Sequence, residues 1–358
     1  MFRLCKNKIY FHLVYYPSRA DLKDGYFQRV LAIDSVLSGF TRYYVNYENF
    51  AIIPVIRKIK EGVFEIETSK YNPFGLLLIT GIVLFSGNIY LHSILRLKSS
   101  FHKLLFLVAR NRIVDLHGVV PEEFLLYDKQ EESNVFDKVE KFAIKYANTI
   151  ISVSNNLTVH IKEKYSVSDN KHFILLPIFS QEKTVSIEKI FSQNIIYCGG
   201  LQKWQQVEKM ISYVHSHRFE YEFAFLVPNP EELRKKYRDM YNKEFPGVIK
   251  SANADEVSMR YNSMNFGLVL REDITVNKVS CPTKLIEYIQ HDIVPIVDSE
   301  NIGDFKVLGY RFVPYKNDLP DEKEWKEMIC QNRKVLEKLD KISQAGIKAL
   351  NASFISNK

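Results

Sequence analysis

The chain has 358 residues, of which 46% are hydrophobic and 25% charged, so it can build large cores and needs no disordered region to explain its composition. At about 100–200 residues per domain, this length favours two domains. The four cysteines lie far apart and match no metal spacing, which predicts reduced thiols in a cytoplasmic protein. Strand-type residues follow the charged start of the chain, so we expect no secretory signal.

The net charge of +7 is unevenly distributed along the chain. Residues 1–180 carry 23 Lys and Arg against 17 Asp and Glu, whereas the remainder carries 26 against 25. A basic first half favours an anionic partner, which could be nucleic acid, an anionic membrane surface or a lipid-linked phosphate. The sequence has no zinc-finger spacing, no RNP-like aromatic motif and no run of five basic residues, and these absences argue against nucleic acid.

The first half alternates strand and helix patterns. Apolar strands separated by helices predict a parallel sheet covered on both faces. Helices are predicted over 26–37, 134–147 and 156–165. Strands are predicted over 9–15, 43–47, 89–92, 113–116, 149–153 and 173–176.

The segment 71–95 contains no charged residue and is long enough to suggest a membrane span. Several Gly, Pro and Asn residues interrupt it, and its apolar part is only about a dozen residues, nearer to a core helix. We therefore predict a buried helix, a Gly87–Asn88 turn and a buried parallel strand. The next stretch, 96–112, mixes Lys and Arg with Phe and Leu at helical spacing. It predicts either a surface helix with one buried face or a helix lying on an anionic membrane.

The pattern restarts in the second half of the chain. Strands are predicted over 194–198, 223–227, 267–270 and 293–297, with helices over 207–215, 231–241 and 283–290. A polar stretch at 180–192 sets the predicted boundary between domains 1–185 and 186–358. The tail, 322–351, predicts one or two helices that finish the second domain and could cross back to the first.

The most informative motif is Asn277–Tyr288, NKVSCPTKLIEY. Pro282 suits the approach to a helix, so Thr283 lies near a helix start, where free N–H groups and the helix dipole favour phosphate. Lys284 adds positive charge there. Glu287, one turn later, can accept hydrogen bonds from a ribose diol. The alternative is an ordinary capped helix with a surface Glu.

Other motifs also follow predicted strands. Gly199 and Gly200 allow close approach of the backbone to a ligand, but glycine turns after strands are common. His117 could bond a sugar hydroxyl or assist proton movement, although a strand-end His is more often structural. Gly25 and Arg29 suit a phosphate, or a tight turn with a solvated Arg. Arg271 follows a strand and would point into a ligand cleft.

The ordered set of motifs resembles the GT-B glycosyltransferases, especially the retaining family-four enzymes of bacterial polysaccharide synthesis. The resemblance implies an α/β fold with two Rossmann-like domains facing across a cleft. No Asp-x-Asp occurs, and metal-independent transfer is implied, with neither metal nor cofactor. The matching segments are 24–29 (DGYFQR), 115–123 (DLHGVVPEE), 150–154 (IISVS), 197–202 (YCGGLQ) and 276–288 (VNKVSCPTKLIEY).

The resemblance also implies roles for individual residues. Gly25 would lie near the donor diphosphate, His117 would contact the transferred sugar, and Glu287 would bind ribose. The sequence departs from the family at Val279, where the first Glu of a Glu-x7-Glu pair is expected, and at Gly200 and Gln205, where Arg and Lys are usual. The candidates are, for catalysis, His117, Arg271 and Lys284; for donor binding, Gly25, Gly199, Gly200, Lys203, Thr283, Lys284 and Glu287; and for acceptor binding, Arg29 and Glu122.

The expected function is transfer of a sugar from a nucleotide-diphosphate sugar to a glycan or lipid-linked acceptor in cell-surface polysaccharide synthesis. We expect retention of configuration and a location in the cytoplasm, peripheral on the inner face of the membrane. Two other enzyme interpretations are an epimerase, which would need its own acid–base pair, and a glycogen-type enzyme. A non-catalytic sugar-nucleotide or nucleic-acid binding module with a decayed site is the alternative from another class.

Overall fold

A computed structural model of the chain describes residues 9–47, 53–177 and 189–353. The chain divides into two compact units, Met1–Ile178 with Gln344–Lys358, and Phe179–Ser343. The predicted boundary at residues 185 and 186 lies outside the described residues, as does Cys5. Among the described residues, Cys198, Cys281 and Cys330 form no disulfide bond.

The first unit is built on a sheet in the order β3-β4-β2-β1-β5-β6-β7-β8, which is parallel except for β3. Its described strands are β1 (Ile9–His12), β2 (Thr41–Asn46), β3 (Val55–Lys60), β4 (Val63–Glu67), β5 (Asn88–Leu91), β6 (Asn111–Leu116), β7 (Thr149–Ser152) and β8 (His172–Leu175). Its described helices are α1 (Gly25–Val36), α2 (Pro73–Ser86), α3 (Ser100–Val108), α4 (Val120–Leu125), α5 (Gln130–Tyr146) and α6 (Asn155–Tyr165).

The second unit is built on a parallel sheet in the order β11-β10-β9-β12-β13-β14, the strand order of dinucleotide-binding folds. Its described strands are β9 (Asn194–Cys198), β10 (Glu222–Leu226), β11 (Val248–Lys250), β12 (Phe266–Val269), β13 (Val294–Val297) and β14 (Val313–Pro314). Its described helices are α7 (Val207–Ser216), α8 (Pro230–Tyr241), α9 (Ala254–Tyr261), α10 (Thr275–Lys278), α11 (Thr283–Gln290), α12 (Phe305–Leu308) and the part of α13 (Glu322–Ala352) up to Ser343.

The central strands of both sheets are buried on both faces. All four residues of β1, β12 and β13 are buried, as expected of parallel strands covered by helices on either side. The predicted α/β class with two Rossmann-like sheets is therefore confirmed. Helix α13 contributes to both cores: Trp325 and Met328 pack in the second unit, and Leu350 packs beside Tyr10 in the first.

The uncharged segment 71–95 folds into the predicted helix, turn and strand. The side chain of Asn72 caps α2, Gly87 ends it with a φ of 69°, and β5 continues as a parallel strand. The prediction that the helix is buried is wrong, because Phe74 and Leu77 are 62% and 69% exposed. Within the described part of the chain, no helix is long and apolar enough to cross a membrane.

Candidate functional site

The switch point of the second sheet lies between the adjacent strands β9 and β12, because the chain leaves β9 towards β10 and leaves β12 towards β13. Ligands of open parallel sheets bind beyond the carboxyl ends of strands at such a point. Gly199 follows the end of β9, and Arg271 follows the end of β12. The predicted donor residues of this unit therefore lie where the topology favours a ligand.

Gly199 lies so close to Lys284 that a side chain at its position would force the lysine ammonium to move. Its φ is +148°, and a Cβ there would lie 1.9 Å from Lys284 Nζ. The next residue, Gly200, accepts a hydrogen bond from the hydroxyl of Tyr197. The glycine turn thus places the backbone directly against a lysine ammonium.

Lys284 lies in the first turn of α11, which begins at Thr283 as predicted. Its ammonium lies 4.6 Å from the ring centroid of Tyr197. The pKa of Lys284 is lowered to about 8, mainly by burial; the nearby Arg271 contributes to the shift, whereas Cys198 and Glu287 oppose it. The first turn of a helix presents unpaired N–H groups and the positive end of the dipole. This corner of the unit therefore favours an anion.

Arg271 is a second cation of the same site and is 8% exposed. Its Nη1 donates to Ser280 Oγ at 3.1 Å and to Asn277 Oδ1 at 3.4 Å, and both acceptors are uncharged. Its Nε is buried and has no hydrogen-bond partner among the described residues. Burial lowers the pKa of Arg271 to about 10. A buried guanidinium without a carboxylate partner is costly unless a ligand supplies the missing anion.

Glu287 lies one turn after Lys284 on α11, and its Oε2 accepts a hydrogen bond from the hydroxyl of Tyr261 at 3.1 Å. Burial raises the pKa of Glu287, with Lys284 and Tyr261 opposing the shift. Val279 is 3% exposed, so an apolar side chain packs where the resembled family has its first Glu. Lys203 is exposed in a short 3-10 helix, Lys203–Gln205.

His117 follows β6 in the first unit and lies beside Asp115, which is ion-paired with Arg29. Its Nε2 lies 3.3 Å from Asp115 Oδ2, and its ring packs 5.8 Å from that of Tyr26. Burial opposes ionisation of Asp115, but Arg29 and His117 hold the pKa of this carboxyl well below its ordinary value. The carboxylate therefore lies at ion-pair distance from His117 at the end of a strand, while Nε2 of this histidine forms no hydrogen bond among the described residues.

Arg29 and Glu122 are bound to other groups of the first unit. Two nitrogens of Arg29 donate to Asp115 at 3.0 Å each, and the residue is 2% exposed. Oε1 of Glu122 lies 2.9 Å from Lys164 Nζ and 3.1 Å from His160 Nε2. Their roles in acceptor binding stay predictions, and the structure assigns them internal ion pairs.

Gly25 is the first residue of α1 and is preceded by Asp24, which accepts a hydrogen bond from the Tyr26 amide. A Cβ at Gly25 would meet no described atom within 4 Å, so packing does not require glycine there. Its place at a helix start after β1 is compatible with the predicted contact to a diphosphate, which stays a prediction.

Two histidines that the sequence interpretation missed lie at the switch point of the first sheet. His12 ends β1 and His92 follows the adjacent β5; His12 Nδ1 and His92 Nε2 are 2.8 Å apart and buried. Burial lowers the pKa of His12 to about 3 and that of His92 well below its ordinary value. Their strand-end positions, shared with His117, were the signal. In the described ranges, no group of three or more His, Cys, Asp or Glu could hold a metal ion.

Comparison with known proteins gives matches to solved structures. No protein-family model and no curated protein matches the chain. A trehalose-phosphate synthase (UDP-forming) from Burkholderia vietnamiensis is 10% identical, with 98% of this chain and 97% of that chain covered and a TM-score of 0.63. Anabaena HepE, in complex with UDP and glucose, is 10% identical, with 97% and 100% covered and a TM-score of 0.66.

A third structure is the sucrose-phosphate synthase from Thermosynechococcus elongatus, 12% identical with 97% of this chain and 95% of that chain covered and a TM-score of 0.60. At such identities the likeness concerns the fold. The chain therefore has the GT-B fold that these glycosyltransferases share, as the motifs predicted.

Proposed function

We propose that the chain is a glycosyltransferase that moves a sugar from a nucleotide-diphosphate sugar to a glycan or lipid-linked acceptor. The observation that carries the proposal is the pair of cations, Lys284 and Arg271, at the switch point of a Rossmann-like sheet. Arg271 has a buried nitrogen without a partner among the described residues, and Gly199 brings the backbone to the same place. A diphosphate would supply an anionic partner for both cations.

The chemistry follows from where charge develops in the reaction. Breaking the bond between sugar and diphosphate leaves negative charge on the nucleotide. Lys284, Arg271 and the first turn of α11 would stabilise this charge because they are already oriented. Glu287 would accept hydrogen bonds from the ribose hydroxyls, and His117, beside Asp115, would contact the transferred sugar.

Two of the similar structures support the class of donor. Anabaena HepE is described in complex with UDP and glucose, and a pneumococcal O-GlcNAc transferase, with a TM-score of 0.56, in complex with UDP and GlcNAc. That transferase covers 83% of this chain at 12% identity, and 62% of its own length is matched. We propose that the donor of this chain likewise consists of a nucleoside diphosphate and a hexose-type sugar. Retention of configuration, a role in cell-surface polysaccharide synthesis and a place at the inner face of the membrane are parts of the same proposal.

The test is thermal unfolding of the purified protein with UDP, GDP, ADP, CDP and dTDP, each without added metal. At a hundred times its dissociation constant, the correct diphosphate adds about 2.7 kcal/mol to the free energy of unfolding. Lys284→Ala and Glu287→Ala should reduce this gain. Lys235→Ala is the matched control, since Lys235 is an exposed lysine of the same unit, paired with Asp239.

The outcomes separate the two classes of function. Stabilisation by one diphosphate, followed by acceptor-dependent release of that diphosphate from its nucleotide sugar, supports the transferase. Stabilisation without release, in the presence of membrane glycolipid extracts, supports a binding module with a decayed site. A well-folded sample that none of the diphosphates stabilises contradicts the proposed donor site.

A further inference from the structure

The part of the first unit that runs from the end of β4 into β6 is the most one-sidedly charged stretch of the chain. Residues 68–114 contain six Lys and Arg and no Asp or Glu. The stretch includes α2, a short 3-10 helix at Ile94–Lys98, and α3. A long segment without a carboxylate has a positive potential that favours an anionic surface.

Helix α2 is apolar on both its buried and its solvent-facing sides. The buried side carries Gly75, Ile79 and Val83. On the opposite side, the exposed side chains are Phe74 at 62%, Leu77 at 69%, Leu84 at 52% and Phe85 at 58%. A surface helix of a soluble protein normally carries polar residues on this side. Such an apolar face marks a contact with another apolar body.

Helix α3 packs beside α2 and also carries exposed apolar side chains. Its buried side holds His102, Leu105 and Phe106, while Leu104 and Leu107 are 54% and 38% exposed. We call the exposed apolar residues of the two helices the α2–α3 face, which consists of Phe74, Leu77, Leu84, Phe85, Leu104 and Leu107.

Cationic side chains lie at both ends of α2. Before its start, Lys70 Nζ lies 4.9 Å from the ring centroid of Tyr71, which is 78% exposed. After its end, the exposed Arg110 lies against Gly87, with its Cδ 3.7 Å from the position of a Cβ there. Amphipathic aromatic and basic residues beside an apolar face are typical of segments that lie at the boundary between lipid chains and headgroups.

We propose that the α2–α3 face lies on an anionic lipid bilayer, with its apolar side chains among the acyl chains and Lys70 and Arg110 at the headgroups. The 14 residues of α2 span about 21 Å, against roughly 30 Å for the hydrocarbon core, so the helix lies in the plane of the surface. Nucleic acid would use the charge but not the six exposed apolar side chains. The inference rests on the proposed function and deepens it by naming the surface that would reach a lipid-linked acceptor.

Vesicle binding tests the inference without donor, acceptor or turnover. A failure of this inference can therefore be distinguished from a failure of the transferase proposal. The full chain is sedimented with vesicles of phosphatidylcholine alone, or of phosphatidylcholine and phosphatidylglycerol in equal parts. We expect sedimentation with the anionic vesicles. Leu77→Gln with Phe85→Gln should weaken it by at least about tenfold. The control, Phe219→Gln with Val307→Gln, changes two apolar residues of the second unit that are 87% and 84% exposed, and should have no effect.

The charges are tested separately. Lys70→Gln with Arg110→Gln should weaken binding about 25-fold, because each cation near an anionic surface contributes about fivefold. Lys235→Gln with Lys326→Gln, both exposed, is the control. Melting temperatures establish that all variants fold. Absence of sedimentation with anionic vesicles, or equal binding by the Leu77/Phe85 variant and wild type, would overturn the proposal. The proposal would also be overturned if duplex DNA displaced the vesicles from the protein and the Leu77 and Phe85 substitutions left vesicle binding unchanged.

Discussion

The ammonium of Lys284 occupies the space that a Cβ on Gly199 would need. The two residues lie 85 positions apart in the chain, at the end of β9 and in the first turn of α11. Their contact depends on the left-handed φ of Gly199 and on the lack of a side chain there. The glycine turn and the Lys284 ammonium therefore act together in the candidate donor site.

Gly199→Ala is expected to abolish the stabilisation by a nucleoside diphosphate, since the new methyl group displaces the ammonium. The strained φ adds about 1–3 kcal/mol of destabilisation. Thermal unfolding with and without the diphosphate measures both effects. Gly81→Ala, in an exposed and unobstructed part of α2, should instead stabilise by about 1 kcal/mol. Unchanged ligand stabilisation in the Gly199 variant would mean that Lys284 does not bind the diphosphate.

Affinity for the diphosphate should fall as the pH rises through about 8, because Lys284 loses its proton there. The folded-state pKa lies below the unfolded value of 10.5, so the unfolded chain binds more protons between these values. The contribution of this residue to stability without ligand therefore rises with pH over that window. Calorimetric titration from pH 7 to 9.5 is the measurement. Lys284→Arg should flatten the profile, and a profile that stays steep in this variant would assign the titration to another group.

Arg271→Met should lose diphosphate binding without losing stability. The variant removes a buried charge whose Nε has no partner in the described ranges, and replacing buried charges by apolar groups is often neutral or stabilising. Chemical denaturation without ligand gives the stability, and the ligand-induced rise in melting temperature gives the binding. A large loss of stability in the variant would show that Arg271 holds the fold together rather than a ligand.

Asp115→Asn should destabilise the protein by about 3–5 kcal/mol, because it leaves the Arg29 guanidinium buried without its carboxylate partner. Tyr90, whose hydroxyl donates to the same carboxylate at 2.8 Å, is affected as well. The control is Asp239→Asn, which breaks an exposed pair with Lys235 and should change stability by about 0.5 kcal/mol or less. Equal effects in urea unfolding would contradict the role given to the buried pair.

His117→Ala should abolish sugar transfer while leaving diphosphate binding intact, since the donor cations belong to the second unit. Single-turnover kinetics and thermal shifts with the diphosphate separate the two properties. His172→Ala removes another histidine of the first unit, one that is exposed at the start of β8 and bonds Thr149, and should retain activity. Activity comparable to wild type in the His117 variant would remove this residue from the site.

Elements with a strong local signal were predictable. Helix α11 begins and ends where its pattern places it, since Pro282 precedes its start and an apolar stripe follows. The hairpin of β3 and β4 was missed, because every residue of β3 is exposed and its Lys and Arg hide the alternation. An edge strand gains its stability from backbone pairing with β4, which leaves little mark on side-chain type.

The partners of site residues were less predictable than their positions. Arg29 was expected to bind a ligand, yet its carboxylate partner lies 86 residues later in the chain. The two meet because β6 carries Asp115 to its carboxyl end, and only the strand order of the folded sheet reveals this. The exposed side of α2 was also not predictable. An all-apolar helix gives no pattern from which a solvent-facing side can be recognised.

Helix α13 gives the first unit a core that is discontinuous in sequence. Leu350, fully buried, packs with Tyr10, Tyr90 and Ile113, whose strands are made much earlier. During synthesis, more than two hundred further residues are added after these strands before Leu350 leaves the ribosome. Until Leu350 is made, the apolar side chains that it covers stay exposed in the nascent chain. A fragment that ends after the first 178 residues would leave them exposed permanently.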